Sequence, residues 1–248
     1  MFTTNYDRFI EYGFDSAGIL YLDRFVGSLN PKFRETKLNY DYHYNPPGIR
    51  GEPRYVEGVV KYSKLHGSVD WKSSNQDVIK KLLPFGADED HPEIGSDLTD
   101  SLLIYPNSSK GIETAFYPYS ELFREFSTAI CRPNSSLVTY GYGFGDSHIN
   151  SIIEDMLSIP STHLVVISYD GNERIKSFFE NQNPSQFTLL LGKEFGDLEK
   201  LNKYYLPKSA IDRISIRRAN LLKNRGEEPS EDGRLEQENG VSNTGEEE

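Results

Sequence analysis

Hydrophobic and polar residues follow a regular pattern between residues 136 and 206. The run SLVTYGY, residues 136–142, is rich in strand-forming side chains and leads into a glycine-containing turn. Apolar residues then recur at the spacing of a helix, at Ile149, Ile152, Ile153, Met156 and Leu157. Asp146 is a suitable N-cap for this helix, and Pro160 lies beyond its end. The pattern predicts a strand, a turn and a helix.

The same alternation continues towards residue 206. HLVVISYD, residues 163–170, is a short continuous apolar run, which is typical of a strand covered on both faces. We expect a helix at about 173–181, a strand at 186–192 and a helix near 195–206. Strands that alternate with helices through short loops indicate βαβ units and a parallel sheet.

The first half of the chain has a weaker pattern. GVVKYSKLHG, residues 58–67, predicts a strand that ends at His66 and Gly67. Residues 72–100 are polar and interrupted by proline and glycine, so we expect loop or irregular structure there. YSELFREFSTAI, residues 119–130, places its apolar side chains on one face and predicts a helix.

Length and composition indicate one large domain or two small ones, followed by a tail. The 248 residues are 36% hydrophobic, which is enough for a buried core. Residues 226–248 hold nine carboxylates, one arginine and almost no large apolar side chains. Such a segment cannot bury enough surface to offset the entropy of ordering, so we predict a disordered acidic tail after a folded domain at residues 1–225. An interaction tail is the alternative.

Charge and cysteine content exclude several classes of protein. The net charge of −11 argues against direct nucleic-acid binding, which needs clustered lysine and arginine. Cys131 is the only cysteine, which excludes an internal disulfide framework and a Cys-rich zinc site. No apolar run approaches the ~20 residues of a membrane-spanning helix, and the N-terminus lacks a signal-peptide pattern. We therefore expect a soluble cytoplasmic protein.

Polar motifs follow two predicted strand ends in the first half. TTNYD, residues 3–7, places Asn5 and Asp7 where ligands bind in open parallel sheets, although either residue alternatively caps the next helix. KLHG places His66 at another strand end, with Gly67 permitting close approach of a ligand. Histidine is suited to accept a proton near neutral pH, and a purely structural histidine is the alternative.

The stretch GYGFGDSHIN, residues 141–150, is the most informative motif. Its spacing G-x-G-x-G differs from the dinucleotide fingerprint G-x-G-x-x-G and from a P-loop. It indicates a glycine-permissive turn whose N–H groups could meet an anionic or ribosyl ligand. Since Asp146 would repel phosphate, ribose hydroxyls are the better partner. Residues 168–170, SYD, end the next strand on the same edge and either frame an adenosine or form a simple turn.

The order of these motifs resembles the bacterial sirtuin-like domain, a group similar to the NAD-dependent sirtuins. TTNYD, KLHG, a stretch that includes PYSELF, GYGFGDSHIN and ISYD follow one another as in that family. The resemblance covers roughly residues 2–205. It implies a Rossmann-like parallel α/β sheet with helices on both faces, and NAD as a substrate.

The resemblance implies that Asn5 and His66 are the catalytic residues. Asn5 would sit by the nicotinamide ribose and position a water or hydroxyl, with Thr4 and Asp7 in the same pocket. His66 would be the general base acting on a ribose hydroxyl. Cleavage passes through an oxocarbenium-like centre, so the protein chiefly needs to position, desolvate and supply a base.

Contacts with the rest of NAD are implied for the later motifs. Gly141, Gly143 and Asp146 would line the ribose and phosphate side, and Tyr169 would lie near the adenosine. Protein-deacylating sirtuins carry four zinc-binding cysteines, whereas this chain has only Cys131, so no zinc is expected. This departure favours an NAD glycohydrolase, in which water takes the place of an acyl-lysine.

The resemblance also implies a biological setting. Such bacterial domains often resemble NAD-depleting effectors of anti-phage defence, which form homo-oligomers or work with a partner ATPase or sensor domain. Protein deacylation, ADP-ribosyl transfer and a non-catalytic nucleotide-binding or assembly module remain alternatives. Residues 1–4 resemble the end of a strand, and the family's first strand and glycine-rich loop would precede them. We therefore expect a chain in which that first strand and loop are missing. A fragment, a misassigned start and a degraded copy are the alternatives, and an inactive truncated chain is a further alternative to the hydrolase.

Overall fold

The computed structural model describes residues 1–34, 43–44, 54–56, 58–74, 77–86, 91, 101–103 and 117–206. Its contacts divide the chain into the units Met1–Tyr204 and Tyr205–Glu248, and only Tyr205 and Leu206 of the second are described. The predicted acidic tail, residues 226–248, lies outside the described residues. Its disorder and the domain boundary at residue 225 therefore stay predictions.

The described residues form a mixed α/β structure. The helices are α1 (Phe9–Ala17), α2 (Tyr119–Ile130), α3 (Ser147–Leu157), α4 (Glu173–Phe179), α5 (Lys193–Gly196) and α6 (Leu198–Lys200). The strands of the first half are β1 (Phe2–Thr3), β2 (Leu20–Leu22), β3 (Phe25–Val26), β4 (Lys32–Phe33), β5 (His43–Tyr44), β6 (Arg54–Tyr55), β7 (Val59–Lys61), β8 (Ser63–Lys64), β9 (Gly67–Ser74), β10 (Asp77–Lys80) and β11 (Ser101–Leu103). The second half adds β12 (Ser136–Tyr140), β13 (His163–Ser168) and β14 (Phe187–Leu191). Among the described residues, no helix is both long and apolar enough to cross a bilayer.

The second half is the predicted parallel sheet. Strands β12, β13 and β14 lie in that order and all run parallel, with Tyr140 paired to Ile167 and Ile167 paired to Leu190. Helix α3 connects the first pair of strands and α4 connects the second. The βαβ prediction is therefore confirmed. Helices on both faces of the sheet stay a prediction, since Val138 and Tyr140 on β12 are exposed.

One apolar core joins this sheet to the helices around it. Fully or nearly fully buried side chains come from α2, α3 and β13, namely Leu122, Phe126, Ile153, Met156, Leu164 and Val166. The predicted helix at 119–130 is confirmed as α2, and its apolar face contributes to this core because those residues recur at helical spacing.

The predicted single strand at residues 58–67 is wrong. The run forms two short strands, β7 and β8, because its two halves pair with different partners. Strand β7 pairs in parallel with β2, and β8 pairs in parallel with β1. Between them, the Tyr62 N–H donates to the carbonyl of Leu22 over 2.9 Å. The chain then turns at His66 and continues into β9.

An antiparallel sheet, in the order β11-β9-β10-β4-β3, is the main feature that the sequence did not predict. Strands β9 and β10 form a hairpin in which Ser74 pairs with Asp77. The expectation of irregular structure is therefore wrong for residues 72–74 and 77–80, where the polar composition masks an alternation that buries Trp71 and Val78. A separate antiparallel pair joins β5 and β6.

The predicted helix near residues 195–206 is interrupted. A 3₁₀ turn, Pro184–Gln186, precedes β14, and the short helices α5 and α6 follow it before a π-helical turn at Leu201–Tyr205. The break lies at Asp197, whose backbone is extended and whose Oδ1 accepts the N–H of Lys200 over 3.1 Å. Asp197 therefore caps a new helix instead of continuing the old one.

The buried position of β13 predicts a specific cost for one substitution. Leu164→Ala removes a side chain that is 0% exposed, so we expect the free energy of unfolding to fall by about 2–5 kcal/mol. Val138→Ala is the matched control, since it lies on the neighbouring strand at 58% exposure and should cost less than about 1 kcal/mol. Urea denaturation followed by circular dichroism measures both, and equal losses would contradict this description of the core.

Candidate functional site

The register of two short strands brings Asn5 and His66 to the same edge. Strands β1 and β8 run parallel with Thr3 paired to Lys64, so Asn5 and His66 each lie two residues beyond that pair. The Leu65 N–H donates to the carbonyl of Thr3 over 2.9 Å and extends the pairing towards His66. The two motifs that the sequence places at strand ends are thus neighbours in space.

Hydrogen bonds join the loop that carries Asn5 to the turn that carries His66. The carbonyl of Tyr6 accepts the N–H of Val69 over 3.1 Å and the hydroxyl of Ser68 over 3.2 Å. Tyr6 directly follows Asn5, and Ser68 lies two residues after His66. The Asn5 side chain therefore lies on a segment whose backbone is fixed against the His66 turn.

The imidazole of His66 is buried against a carboxylate. His66 is 5% exposed and its Nε2 lies 3.1 Å from Oδ2 of Asp146, which is 6% exposed. The ring N–H is not aimed closely enough for a hydrogen bond, so the contact is an ion pair when the ring is protonated. The rings of Tyr6 and Phe123 each have their centroid 6.4 Å from that of His66. This environment excludes water around a group that can take up a proton.

Asp146 serves both a helix and this histidine. Its Oδ1 accepts the N–H groups of His148 at 3.0 Å and Ile149 at 3.3 Å, which confirms the predicted N-cap of α3. The cap orients the carboxylate, and Oδ2 is then the oxygen that faces His66. The contact of Asp146 with ribose stays a prediction, because the structure shows the carboxylate engaged with the helix and the imidazole.

The turn between β12 and α3 is held in an unusual conformation. Positive φ angles occur at Gly141, 66°, and at Phe144, 53°, whereas Gly143 and Gly145 do not adopt one. A left-handed conformation costs a bulky residue of order 1–3 kcal/mol, so the surroundings must enforce it. The ring of Phe144 is buried, and its carbonyl accepts Nδ2 of Asn150 over 3.1 Å. These contacts fix the position at which Asp146 begins the helix.

The remaining predicted contacts with NAD lie at the ends of β12 and β13. The Gly141 N–H donates to the carbonyl of Ile167 over 3.0 Å, so Gly141 and Tyr169 follow paired strands at one edge of the sheet. Tyr169 is exposed. Its backbone packs closely on Gly196, because a Cβ added to Gly196 would lie 2.4 Å from the Cα of Tyr169. This edge is linked to His66 through Asp146, which begins α3 after β12 and faces the imidazole.

Thr4, Asn5 and Asp7 differ in their surroundings. Oδ1 of Asp7 accepts the N–H of Phe9, the first residue of α1, over 3.0 Å, while the N-cap position of that helix is Arg8 and carries no side-chain cap bond. The backbone N–H of Asn5 donates to Oγ1 of Thr3 over 3.1 Å, while its side chain is exposed. Thr4 is half-buried. The pocket roles of all three residues stay predictions.

The arrangement combines a buried imidazole with an exposed amide at the same edge. An imidazole beside a carboxylate can accept and hold a proton, and an exposed amide at the same edge can orient a hydroxyl or a water. Among the described residues, one cavity lies beside Glu11, Lys64 and Lys80 and another beside Phe144, Glu154 and Arg174, and neither of these is lined by Asn5 or His66. In the described part of the chain, no group of three or more His, Cys, Asp and Glu side chains is placed to hold a metal ion. His66 itself is 5% exposed.

Several residues that shape this site were not identified from the sequence. Tyr6, Ser68 and Phe123 surround the Asn5 loop and the imidazole, and Asp146 was assigned to ribose and to capping but not to His66. Asp146 and His66 are about 80 residues apart, so no local pattern connects them. The one available signal is that both follow predicted strand ends.

Comparisons with known proteins support the family resemblance. A family model described as a SIR2-like domain matches residues 1–185 of this chain, about three quarters of its length. No curated protein gives a significant match. The family match covers β1 to α4, and it therefore includes Asn5, His66 and Asp146.

The two functions of the Asp146 carboxylate can be separated by substitution. Asp146→Ala removes the cap of α3 and should lower the free energy of unfolding by about 0.5–2 kcal/mol. Asp146→Asn retains an N-capping oxygen while removing the charge that faces His66, so its stability should be nearer to that of the parent. Urea denaturation of the three proteins checks the order, and an asparagine variant less stable than the alanine variant would contradict the capping geometry.

Proposed function

The chain belongs to the SIR2-like domain family, and we propose that it hydrolyses NAD to nicotinamide and ADP-ribose. SIR2-like domains bind NAD, which gives the substrate class. The proposed Rossmann-like form of the sheet agrees with the parallel order β12-β13-β14. NAD itself is the substrate, and no metal takes part in the proposed reaction.

The observation that carries the proposal is the buried pair of His66 and Asp146 at the edge that also holds Asn5. In the proposed reaction the bond between nicotinamide nitrogen and ribose C1′ breaks, and a water oxygen bonds to that carbon. Asn5 orients the water or the ribose hydroxyl, and His66 accepts the proton that is released. Asp146, whose Oδ2 lies 3.1 Å from Nε2, keeps the imidazole oriented.

The surroundings fit a dinucleotide with its reacting end buried. Gly141 leaves open space at the end of β12, and the exposed ring of Tyr169 offers a surface for the adenosine. Asn5 is exposed while His66 is almost fully buried. We therefore expect substrate to enter from the Asn5 side and to displace the ring of Tyr6 or Phe123. Such a movement would exclude water from the ribose once it is bound.

Nicotinamide release from NAD tests the proposal. His66→Ala should lower kcat by about 10²–10⁴-fold, which is the usual contribution of a general base, and Asn5→Ala should also abolish measurable turnover. His163→Ala is the matched control, because His163 lies at the start of β13, bonds to Thr188 and should leave turnover unchanged. Turnover unchanged from the parent in both site variants would reject the assignment.

The product distribution separates the alternatives. Nicotinamide release that accelerates with an acylated peptide and yields O-acyl-ADP-ribose would indicate a deacylase, and modified protein would indicate ADP-ribosyl transfer. Calorimetric binding of NAD without turnover would indicate a nucleotide-binding or assembly module. Free ADP-ribose in the absence of any peptide is the result expected from the proposed hydrolase.

The family resemblance further suggests the biological setting. We propose an NAD-depleting effector of anti-phage defence in the bacterial cytoplasm, acting as a homo-oligomer or with a partner ATPase or sensor. Cells that express the protein should lose NAD after phage infection, whereas cells that express His66→Ala should keep it. Mass-spectrometric measurement of NAD checks this, and equal NAD levels in the two strains would contradict the role.

A further inference from the structure

A buried lysine lies next to the candidate site, at the end of the strand that leads to His66. Lys64 is 2% exposed and forms the end of β8, two residues before His66. Its ammonium lies 2.9 Å from Oε1 of Glu11 and 2.9 Å from the hydroxyl of Ser68. It also donates to the backbone carbonyls of Tyr6, at 3.4 Å, and of Asp7. Four acceptors from α1, β9 and the loop that carries Asn5 thus surround one cation.

An apolar residue would satisfy the packing at this position at lower cost. Burying an ammonium requires several kcal/mol of desolvation, which only good geometry and further hydrogen bonds can offset. Here the charge is balanced by Glu11, and Oε2 of Glu11 accepts the hydroxyl of Tyr62 over 3.1 Å. Burial raises the pKa of the Tyr62 hydroxyl, which keeps it protonated as a donor. The cluster is therefore built to hold a cation at this point.

The carbonyl of Tyr6 is the centre of these contacts. It accepts the Val69 N–H, the Ser68 hydroxyl and the Lys64 ammonium. This carbonyl belongs to the residue directly after Asn5, and Ser68 lies two residues after His66. Lys64 consequently contacts both segments that carry the proposed catalytic side chains, without facing solvent itself.

From this geometry we propose that Lys64 is a positioning residue, which holds the Asn5 loop against the His66 turn. The inference rests on the proposed function, since it assigns Lys64 a role in the same reaction. Lys64 does not touch substrate, because its three ammonium hydrogens are directed at protein acceptors. It acts through the placement of Asn5 relative to His66.

The test separates positioning from simple stability. Lys64→Met leaves the Glu11 carboxylate buried without its cation, so this variant should lose stability as well as activity. The double variant Lys64→Met/Glu11→Gln removes both charges and should recover much of that stability. We expect its kcat to remain about 100-fold below the parent, the scale of loss for a misplacement of about 1 Å, with a much smaller change in KM.

A second lysine–carboxylate pair provides the control. Nζ of Lys32 lies 2.6 Å from Oδ2 of Asp77, where β4 and β10 pair. Lys32→Met/Asp77→Asn likewise removes one lysine and one carboxylate charge from the first half of the chain. Its kcat should stay within about twofold of the parent, since ion pairs away from a site do not set its geometry.

Amide hydrogen exchange gives a readout that does not depend on turnover. Peptides that cover residues 4–9 and 66–70 should exchange at least about tenfold faster in Lys64→Met/Glu11→Gln than in the parent, because the Val69 N–H loses a fixed acceptor. The control pair should leave these peptides unchanged.

Each combination of results decides the matter. Low kcat together with faster exchange supports positioning, whereas parental kcat, or low kcat with unchanged exchange, overturns it. If the parent protein itself releases no nicotinamide, the proposed function fails. Exchange then decides alone whether Lys64 holds the two segments together, and unchanged exchange overturns that claim as well.

Discussion

The contact between His66 and Asp146 is the interaction on which the site depends. It joins the turn after β8 to the start of α3, and therefore connects the two halves of the described chain at one point. Both groups are nearly excluded from water, so each needs the other to offset its desolvation. The helix cap fixes the carboxylate, and the two aromatic rings around His66 restrict the imidazole. The imidazole is thus held in place before any ligand binds.

Two buried ion pairs lie close to the strand that leads to His66. The first pair joins Lys64 to Glu11, and Lys64 also donates to backbone carbonyls of the Asn5 loop. The second pair joins Arg24 to Glu125 over 2.9 Å. The Ser63 hydroxyl donates to the same Glu125 carboxylate, so both pairs reach β8. Buried ion pairs add little net stability compared with apolar packing, but each demands one geometry. We infer that they fix the position of β8, and with it the position of His66.

The sequence predicted the second half of the chain well and the first half poorly. Around Asp146, Ile153 and Leu164 the necessary information is local, because capping, helical spacing and a continuous apolar strand each occupy a few neighbouring residues. In β9 the buried side chains include Ser68 and Asp70, so polar residues occupy positions that a hydrophobic pattern assigns to solvent. Their partners, such as Arg8 beside Asp70, are distant in sequence and emerge only from the fold. The candidate residues could be named in advance, but the pairing of His66 with Asp146 could not.

A crystal structure of the His66→Ala variant bound to NAD would locate the substrate relative to Asn5 and Asp146. We expect the nicotinamide ribose to lie within about 3 Å of the Asn5 amide and next to the space left by the imidazole, with the Asp146 carboxylate beyond it. A dinucleotide bound elsewhere on the molecule, or a nicotinamide ribose separated from Asn5 by packed side chains, would contradict it.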